Sequence, residues 1–220
     1  MALFDFLKRD PIREVAREAR QLVQIPIELV ASTAESASKA LEVVAKAGLA
    51  TPSAERAVLQ EICAYHFTAT VIAMSNARDP SGRITHDTWN RDATFLIKTV
   101  NQLLADAEFR GLPDIQMLRT MVEQDTVDLA VAYFTRNQTV LQTTDRDVTE
   151  LAEYDPRLLS VTRRDFSSTV FCFIVRAVRA AGLESLRPGE FKTAAIATFV
   201  GHILKGVMEL EQKVMRSTPR

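Results

Sequence analysis

The chain has only seven glycines among its 220 residues, about half of what average usage would give. Because glycine weakens the interior of helices and strands, this scarcity indicates long uninterrupted elements. Gly48, Gly82, Gly111 and Gly182 each follow a stretch in which apolar residues recur at spacings of three and four. The sequence has no strand-like alternation of useful length. We therefore predict an all-α, single-domain bundle of about seven or eight helices.

The chain also lacks an excess of charge, a cysteine framework and a long apolar run. Its 27 Lys and Arg residues nearly balance its 28 Asp and Glu residues, which argues against binding to nucleic acid. Cys63 and Cys172 each lie in an apolar helical stretch, where a thiol behaves as a small hydrophobe. The longest strictly apolar run, residues 170–175, is far shorter than the roughly 20 residues that cross a bilayer. We expect a cytoplasmic protein.

Prolines mark the starts of several predicted helices. Asp10-Pro11, Thr51-Pro52 and Asp155-Pro156 each place a capping residue before a proline in the first turn. The last of these helices, near residues 156–181, is apolar on almost every side, so we predict that it forms the centre of the bundle. We expect a semi-detached helical arm over residues 1–50 and a helical bundle over residues 51–220.

The common signatures of catalytic and cofactor sites are missing. The residues three before His66, His86 and His202 are not carboxylates, so the Glu-x-x-His pairs of di-iron bundles are absent. The sequence also lacks a His-x-x-x-His pair, a Cys-x-x-Cys pair, a glycine-rich phosphate loop and a Gly-x-Ser-x-Gly elbow. We assign no catalytic residue, no metal and no cofactor from the sequence, which argues against an enzyme.

One constellation allows an enzymatic alternative. The order His66, His86-Asp87, then Asp125 or Asp128 resembles in outline the His…His-Asp…Asp order of the HD-type metal-dependent phosphohydrolases, which are all-helical. The resemblance implies that His86 and Asp87 would hold a metal and that the other residues would complete its coordination. The residues themselves allow a plainer interpretation, in which Asp87 favours the dipole of a helix N-terminus and His86 is solvated in the first turn.

Two polar residues are expected inside the bundle. His66 shares an apolar stripe, so we expect it to be buried and hydrogen-bonded to a neighbour. Asp125 lies on the apolar stripe of a predicted helix of about 30 residues that begins at Pro113, and an unpaired charge there would be costly. We expect an ion pair with Arg136 or with an arginine of another helix. His202 is expected to be exposed.

The terminal segments carry the strongest indication of function. In the last helix, apolar residues recur at intervals of 4, 3, 4, 3 and 4, which is a heptad seam. The seam consists of Ile196, Val200, Ile203, Val207, Leu210 and Val214. It packs either on the core of its own chain or on a partner helix. Ala197 and Gly201 would allow close helix approach on another side, whereas Gly206 has no explanation in the sequence.

The N-terminus offers a second candidate surface. Its apolar residues Leu3, Phe4, Phe6 and Leu7 precede Lys8. Such a tip either packs on its own bundle, docks on a second subunit or touches a membrane surface peripherally.

We predict a non-catalytic helical interaction or assembly protein that acts through its terminal helices, with another protein or a second copy as its partner. The first alternative is a protein that binds an apolar ligand or a membrane surface, which would require a sizeable apolar cavity around Phe171, Phe173 and Phe199. The second alternative is the metal-dependent phosphohydrolase.

Overall fold

The computed structural model describes residues 11–79, 84–109, 115–142 and 167–218. In these ranges the chain forms eight α-helices and no strand, so the predicted all-α bundle of seven or eight helices is confirmed. The helices are α1 (Pro11–Lys46), α2 (Pro52–Arg78), α3 (His86–Phe109), α4 (Gln116–Val122), α5 (Gln124–Thr135), α6 (Gln138–Leu141), α7 (Ser167–Ala180) and α8 (Glu190–Ser217). A short 3₁₀ helix, Leu183–Ser185, joins α7 to the loop before α8. Helices α1 and α2 begin at the predicted prolines.

Helix α2 has the largest number of neighbours in the described part of the chain. It contacts α1, α3, α4, α5, α7 and α8, and residues 61–71 are all buried. Small side chains such as Ala64, Thr68 and Ala73 let other helices approach it from all sides. The helix predicted at the centre, near residues 156–181, is described from Ser167 onwards as α7, and its residues 170–175 are buried as expected. Helix α7 is therefore a core helix, while α2 holds the central position.

Helices α1 and α8 form an antiparallel pair. The Lys213 ammonium near the end of α8 lies 3.5 Å from the carboxylate of Glu28 in α1, and Gly206 in the middle of α8 faces Ser36. Both helices also pack on α2. A turn over residues 47–51 separates α1 from α2 at the expected boundary, while the division into an arm and a bundle stays a prediction.

The inner face of α1 differs from the stripe that its apolar residues suggest. Ile27 is 44% exposed and Ala34 is exposed, although helical spacing places both on one apolar stripe with Val30 and Ala37. Ser32, Thr33 and Ser36 are buried instead. Small hydroxyl side chains can be buried in a helix because they hydrogen-bond to its own carbonyls, and Thr33 donates to the carbonyl of Leu29 at 2.6 Å.

The predicted long helix from Pro113 is interrupted. Glu123 adopts an extended backbone (φ −60°, ψ 138°) between α4 and α5, and Arg136 is left-handed (φ 54°) at the end of α5. The break allows α4 to pack on α3 and α2 while α5 packs on α2 and α6. As a result Asp125 lies in the first turn of α5 and is exposed, so its predicted burial is wrong.

Two helices have long apolar stretches. Eighteen-residue windows of α2 and α8 reach mean hydropathies of 1.3 and 1.2, which satisfy the length and composition of a membrane span. Of these windows, 78% is buried inside the bundle in α2 and 39% in α8. A buried core helix of a globular protein has the same composition, so these two helices are only weak evidence for membrane spans. The cytoplasmic location stays a prediction.

The two glycines of α8 have opposite surroundings. A Cβ added at Gly206 would overlap the Ser36 hydroxyl oxygen and lie 3.0 Å from the Ser36 Cβ, whereas one added at Gly201 meets none of the described atoms within 4 Å. Close helix approach therefore explains Gly206, and the expectation that it explains Gly201 is wrong. At Gly206 the absence of a side chain lets α8 lie directly against α1.

We expect opposite effects from Gly206→Ala and Gly201→Ala. Gly201→Ala should raise the free energy of unfolding by about 0.5–1 kcal/mol, since alanine is the better helix former. Gly206→Ala should lower it by about 1–3 kcal/mol through overpacking, with partial recovery when Ser36→Ala removes the hydroxyl. Urea unfolding followed by circular dichroism measures both changes. Equal effects at the two sites would contradict the assigned contact.

Candidate functional site

A groove lies on the surface between the last turns of α1 and the first turns of α8, with a volume of about 220 Å³. We call it the α1–α8 groove. It is lined by Glu42, Val43, Lys46, Ala47, Phe191, Ala194, Ala195, Thr198 and His202. Small-molecule pockets usually measure roughly 300–1,000 Å³, so this volume is better suited to one inserted side chain.

Phe191 stands at one end of the groove and is 61% exposed. Ile196, five residues later, is buried in the core. Five residues correspond to a rotation of about 140° around a helix, which explains why Phe191 points away from the core. The groove therefore combines an exposed aromatic side chain with a neighbouring depression.

The floor of the groove is apolar and its rim is charged. Val43 and the small side chains of Ala47 and Ala195 leave space between the two helices. On the rim, the Lys46 ammonium lies 2.6 Å from the Glu42 carboxylate, and this hydrogen-bonded contact lowers the pKa of Glu42. An apolar centre with a polar rim is typical of protein interfaces.

A buried ion pair joins α2 to α7. The Arg176 guanidinium donates to both carboxylate oxygens of Glu61, at 2.6 Å and 3.2 Å, and Tyr133 of α5 donates its hydroxyl to Glu61 at 2.5 Å. Arg176 also donates to the carbonyls of Val140 and Leu141 at 3.4 Å and 3.1 Å. Burial, followed by the nearby Glu61 carboxylate, raises the pKa of Tyr133. The carboxylate is fully engaged, which is typical of a structural ion pair.

Asp92 of α3 is a second buried carboxylate. It accepts from Arg78 at 2.5 Å, from Arg91 at 3.1 Å and from Ser75 at 3.4 Å. These contacts fasten α3 to the end of α2. Like Glu61, Asp92 has its acceptors occupied by neighbouring side chains.

His66 is buried in α2, as predicted, with a hydrogen-bonded neighbour. Because the Thr33 hydroxyl donates to Leu29, its oxygen accepts from Nδ1–H of His66, at 3.1 Å. The Nε2 atom has no partner among the described residues. Burial lowers the pKa of His66 to about 3, so the ring is neutral at physiological pH. An added Cβ at Gly206 would lie 3.6 Å from this ring, which therefore belongs to the packing of α1, α2 and α8.

Glu211 of α8 is half-buried, and its carboxyl group makes no hydrogen bond or ion pair within the described residues. Burial raises its pKa to about 7. Burial, and after it the Glu211 carboxylate, raises the pKa of the Tyr65 hydroxyl. The Glu211 carboxyl group is thus poised to change its charge near neutral pH.

The heptad seam faces the interior of its own chain. All six seam residues, Ile196, Val200, Ile203, Val207, Leu210 and Val214, are buried where α8 packs on α1 and α2. Of the two packing partners considered for the seam, its own core or a partner helix, the seam contacts its own core. The other proposed interface residues, Leu3, Phe4, Phe6 and Leu7, lie outside the described residues.

The residues of the phosphohydrolase alternative do not converge. His66 is buried, whereas the other candidates are exposed: His86, Asp87, Asp125 and Asp128. Asp128 accepts a hydrogen bond from Gln124 at 2.7 Å, and the His86 ring packs edge-on against Phe134. In the described ranges, which include all five, no group of three or more potential ligands could hold a metal ion. His202, expected to be exposed, is half-buried on the groove rim.

Neither the Glu61–Arg176 pair nor the groove is among the features predicted from the sequence. A signal for the pair was present, since Glu61 and Arg176 each interrupt an apolar helical stretch. The groove depends on which turns of α1 and α8 meet, and no local pattern encodes that register. The phenylalanines Phe171, Phe173 and Phe199, expected around a ligand cavity, are buried and do not line the groove.

No family model matches this chain. Neither a curated protein nor a solved structure matches it either. The function proposed below therefore depends on the chain's own geometry.

We expect Glu61 and Arg176 to be energetically coupled. Glu61→Leu or Arg176→Met alone should lower the free energy of unfolding by about 3–5 kcal/mol, because each leaves a buried charge without its partner. The double variant should lose less than the sum of the two, since both charges are removed. Denaturant unfolding of all four proteins provides the test, and additive losses would contradict the coupling.

We expect Glu211 to make stability depend on pH. Between its ordinary pKa of 4.5 and about 7, the carboxyl group is ionised in the unfolded chain but protonated in the folded one. Stability should therefore fall as the pH rises through this window, by at most about 3 kcal/mol from this group. Glu211→Gln should show a smaller fall between pH 4.5 and pH 8 in chemical unfolding. An unchanged pH profile would contradict the raised pKa.

Proposed function

We propose that this protein is a non-catalytic interaction protein that acts through its terminal helices, at the α1–α8 groove. The observation that carries the proposal is the exposed Phe191 beside an apolar depression of about 220 Å³. Exposed aromatic residues next to a pocket are typical of sites where one protein anchors another.

The surroundings of the groove support a fixed binding surface. The inward seam of α8 and the close contact at Gly206 hold α8 against α1 and α2. A partner would therefore bind a preformed site, and binding would cost little free energy for ordering that site. The buried carboxylates Glu61 and Asp92 are both paired with arginines, so neither is free to act as an acid or base in catalysis.

The alternative of a bound apolar ligand has less support. The groove is smaller than usual small-molecule pockets, and Phe171, Phe173 and Phe199 are packed in the core. The exposed Phe191 favours a protein partner, because a protein surface is large enough to cover the phenyl ring and fill the groove at the same time.

A capture experiment with two matched variants tests the proposal. Phe191→Asp places a charge at the groove, whereas Met208→Asp places one at another exposed apolar residue of α8 that is 54% exposed and outside the groove. The immobilised full chain is exposed to a host lysate and, separately, to a differently tagged copy of itself. We expect at least one protein to bind Phe191→Asp about tenfold less than it binds the unmodified chain. The same protein should bind Met208→Asp as well as it binds the unmodified chain. Equal capture by both variants and the unmodified chain would overturn the proposal.

A further inference from the structure

We infer that the α1–α8 groove binds Phe191 of a second copy of this chain, in a two-fold symmetric dimer in which each copy inserts its phenyl ring into the other. This inference rests on the proposed function and names its partner. The groove and the exposed ring lie side by side on the same surface, as an isologous interface requires.

The antiparallel register of α1 and α8 makes the exchange geometrically consistent. Ser36 faces Gly206, and Ala47 and Ala195 line the groove together, so α1 and α8 run past each other in a fixed register. An antiparallel pairing of two α8 helices about an axis at Ala194 sets residue 191 of one copy against residue 197 of the other. Phe191 of the second copy then lies beside Ala195 and Thr198, which line the groove.

Phe191 leaves its own groove unfilled. Phe191 stands at the end of its own groove and is 61% exposed, so it does not fill the depression. In the two-fold arrangement, both Phe191 rings and the apolar floors of both grooves are removed from solvent. A partner with no protruding side chain would cover Phe191 but would leave the depression empty.

The charges around the groove are complementary in the same arrangement. Glu190 is exposed next to Phe191, and it has no ion-pair partner within the described ranges. The axis at Ala194 brings Glu190 level with Thr198 of the second copy, and the register places Lys46 of that copy beside the same turn. Each Glu190–Lys46 contact occurs twice because of the symmetry.

The mass of the purified full chain in solution tests the dimer. Sedimentation equilibrium from about 1 µM to about 1 mM covers weak as well as stable association. We expect the mass to rise from 24.5 kDa towards twice that value. Phe191→Asp should weaken association about tenfold or more, while the matched control Met208→Asp should behave like the unmodified chain.

A charge exchange tests the proposed arrangement. Lys46→Glu should weaken association, because it places a carboxylate opposite Glu190 of the second copy. Adding Glu190→Lys in the same chain should restore it. Within one copy Lys46 pairs with Glu42, so a loss of that internal pair alone would not be repaired by a change at Glu190. Failure of the second substitution to restore association would overturn the arrangement.

The outcomes separate the dimer from the broader proposal. A purified chain that stays at 24.5 kDa at every concentration overturns the dimer. If the capture of another protein still depends on Phe191, the proposed function stands with a different partner. If the chain is monomeric and Phe191→Asp changes no capture, both proposals fail. A mass that grows beyond twice the chain overturns the closed two-fold form.

Discussion

The ion pair between Glu61 and Arg176 connects more helices than any other polar contact described above. Glu61 belongs to α2, Arg176 to α7 and Tyr133 to α5, and the carbonyls that Arg176 also binds belong to α6. A buried charge is tolerated only when its hydrogen-bonding groups are occupied, so these helices must meet with little freedom of position. The stacked rings of Tyr65 and Phe173, with centroids 4.2 Å apart, pack beside this network and fill the space around it.

The sequence predicts the elements of this fold better than their mutual arrangement. Helical spacing and first-turn prolines are local signals, and they identified the starts of α1 and α2 and the apolar seam of α8. They left open whether that seam packs on its own chain or on a partner. The inner face of α1 could not be found in this way. Ser32, Thr33 and Ser36 are buried there because their side chains are small, and Ser36 also has Gly206 of α8 opposite it. Such a fit depends on both α1 and α8, so the sequence of either helix alone does not reveal it.

The same reason limits what the sequence says about sites. The burial of His66 follows from its own stripe, but its partner Thr33 is 33 residues away in another helix. Asp125 shares an apolar stripe only if its helix is continuous, and the extended Glu123 ends that continuity. The break lets α4 pack on α3 and α5 pack on α6 and α7, while both contact α2, and such tertiary contacts do not appear in a local sequence pattern.

Helix α8 has two faces with different degrees of constraint. Its inward seam is fixed by contacts with α1 and α2, and the absence of a side chain at Gly206 lets it lie against α1. Its first turns cross α1 where both helices carry alanines, so the same antiparallel pairing that is tight at Gly206 leaves a depression at Ala47 and Ala195. Tight packing in the middle therefore holds the walls of the groove in place, while the exposed Phe191 costs the fold little because core residues such as Ile196 already anchor the helix. Substitutions at this exposed surface should therefore alter the groove without loss of the bundle.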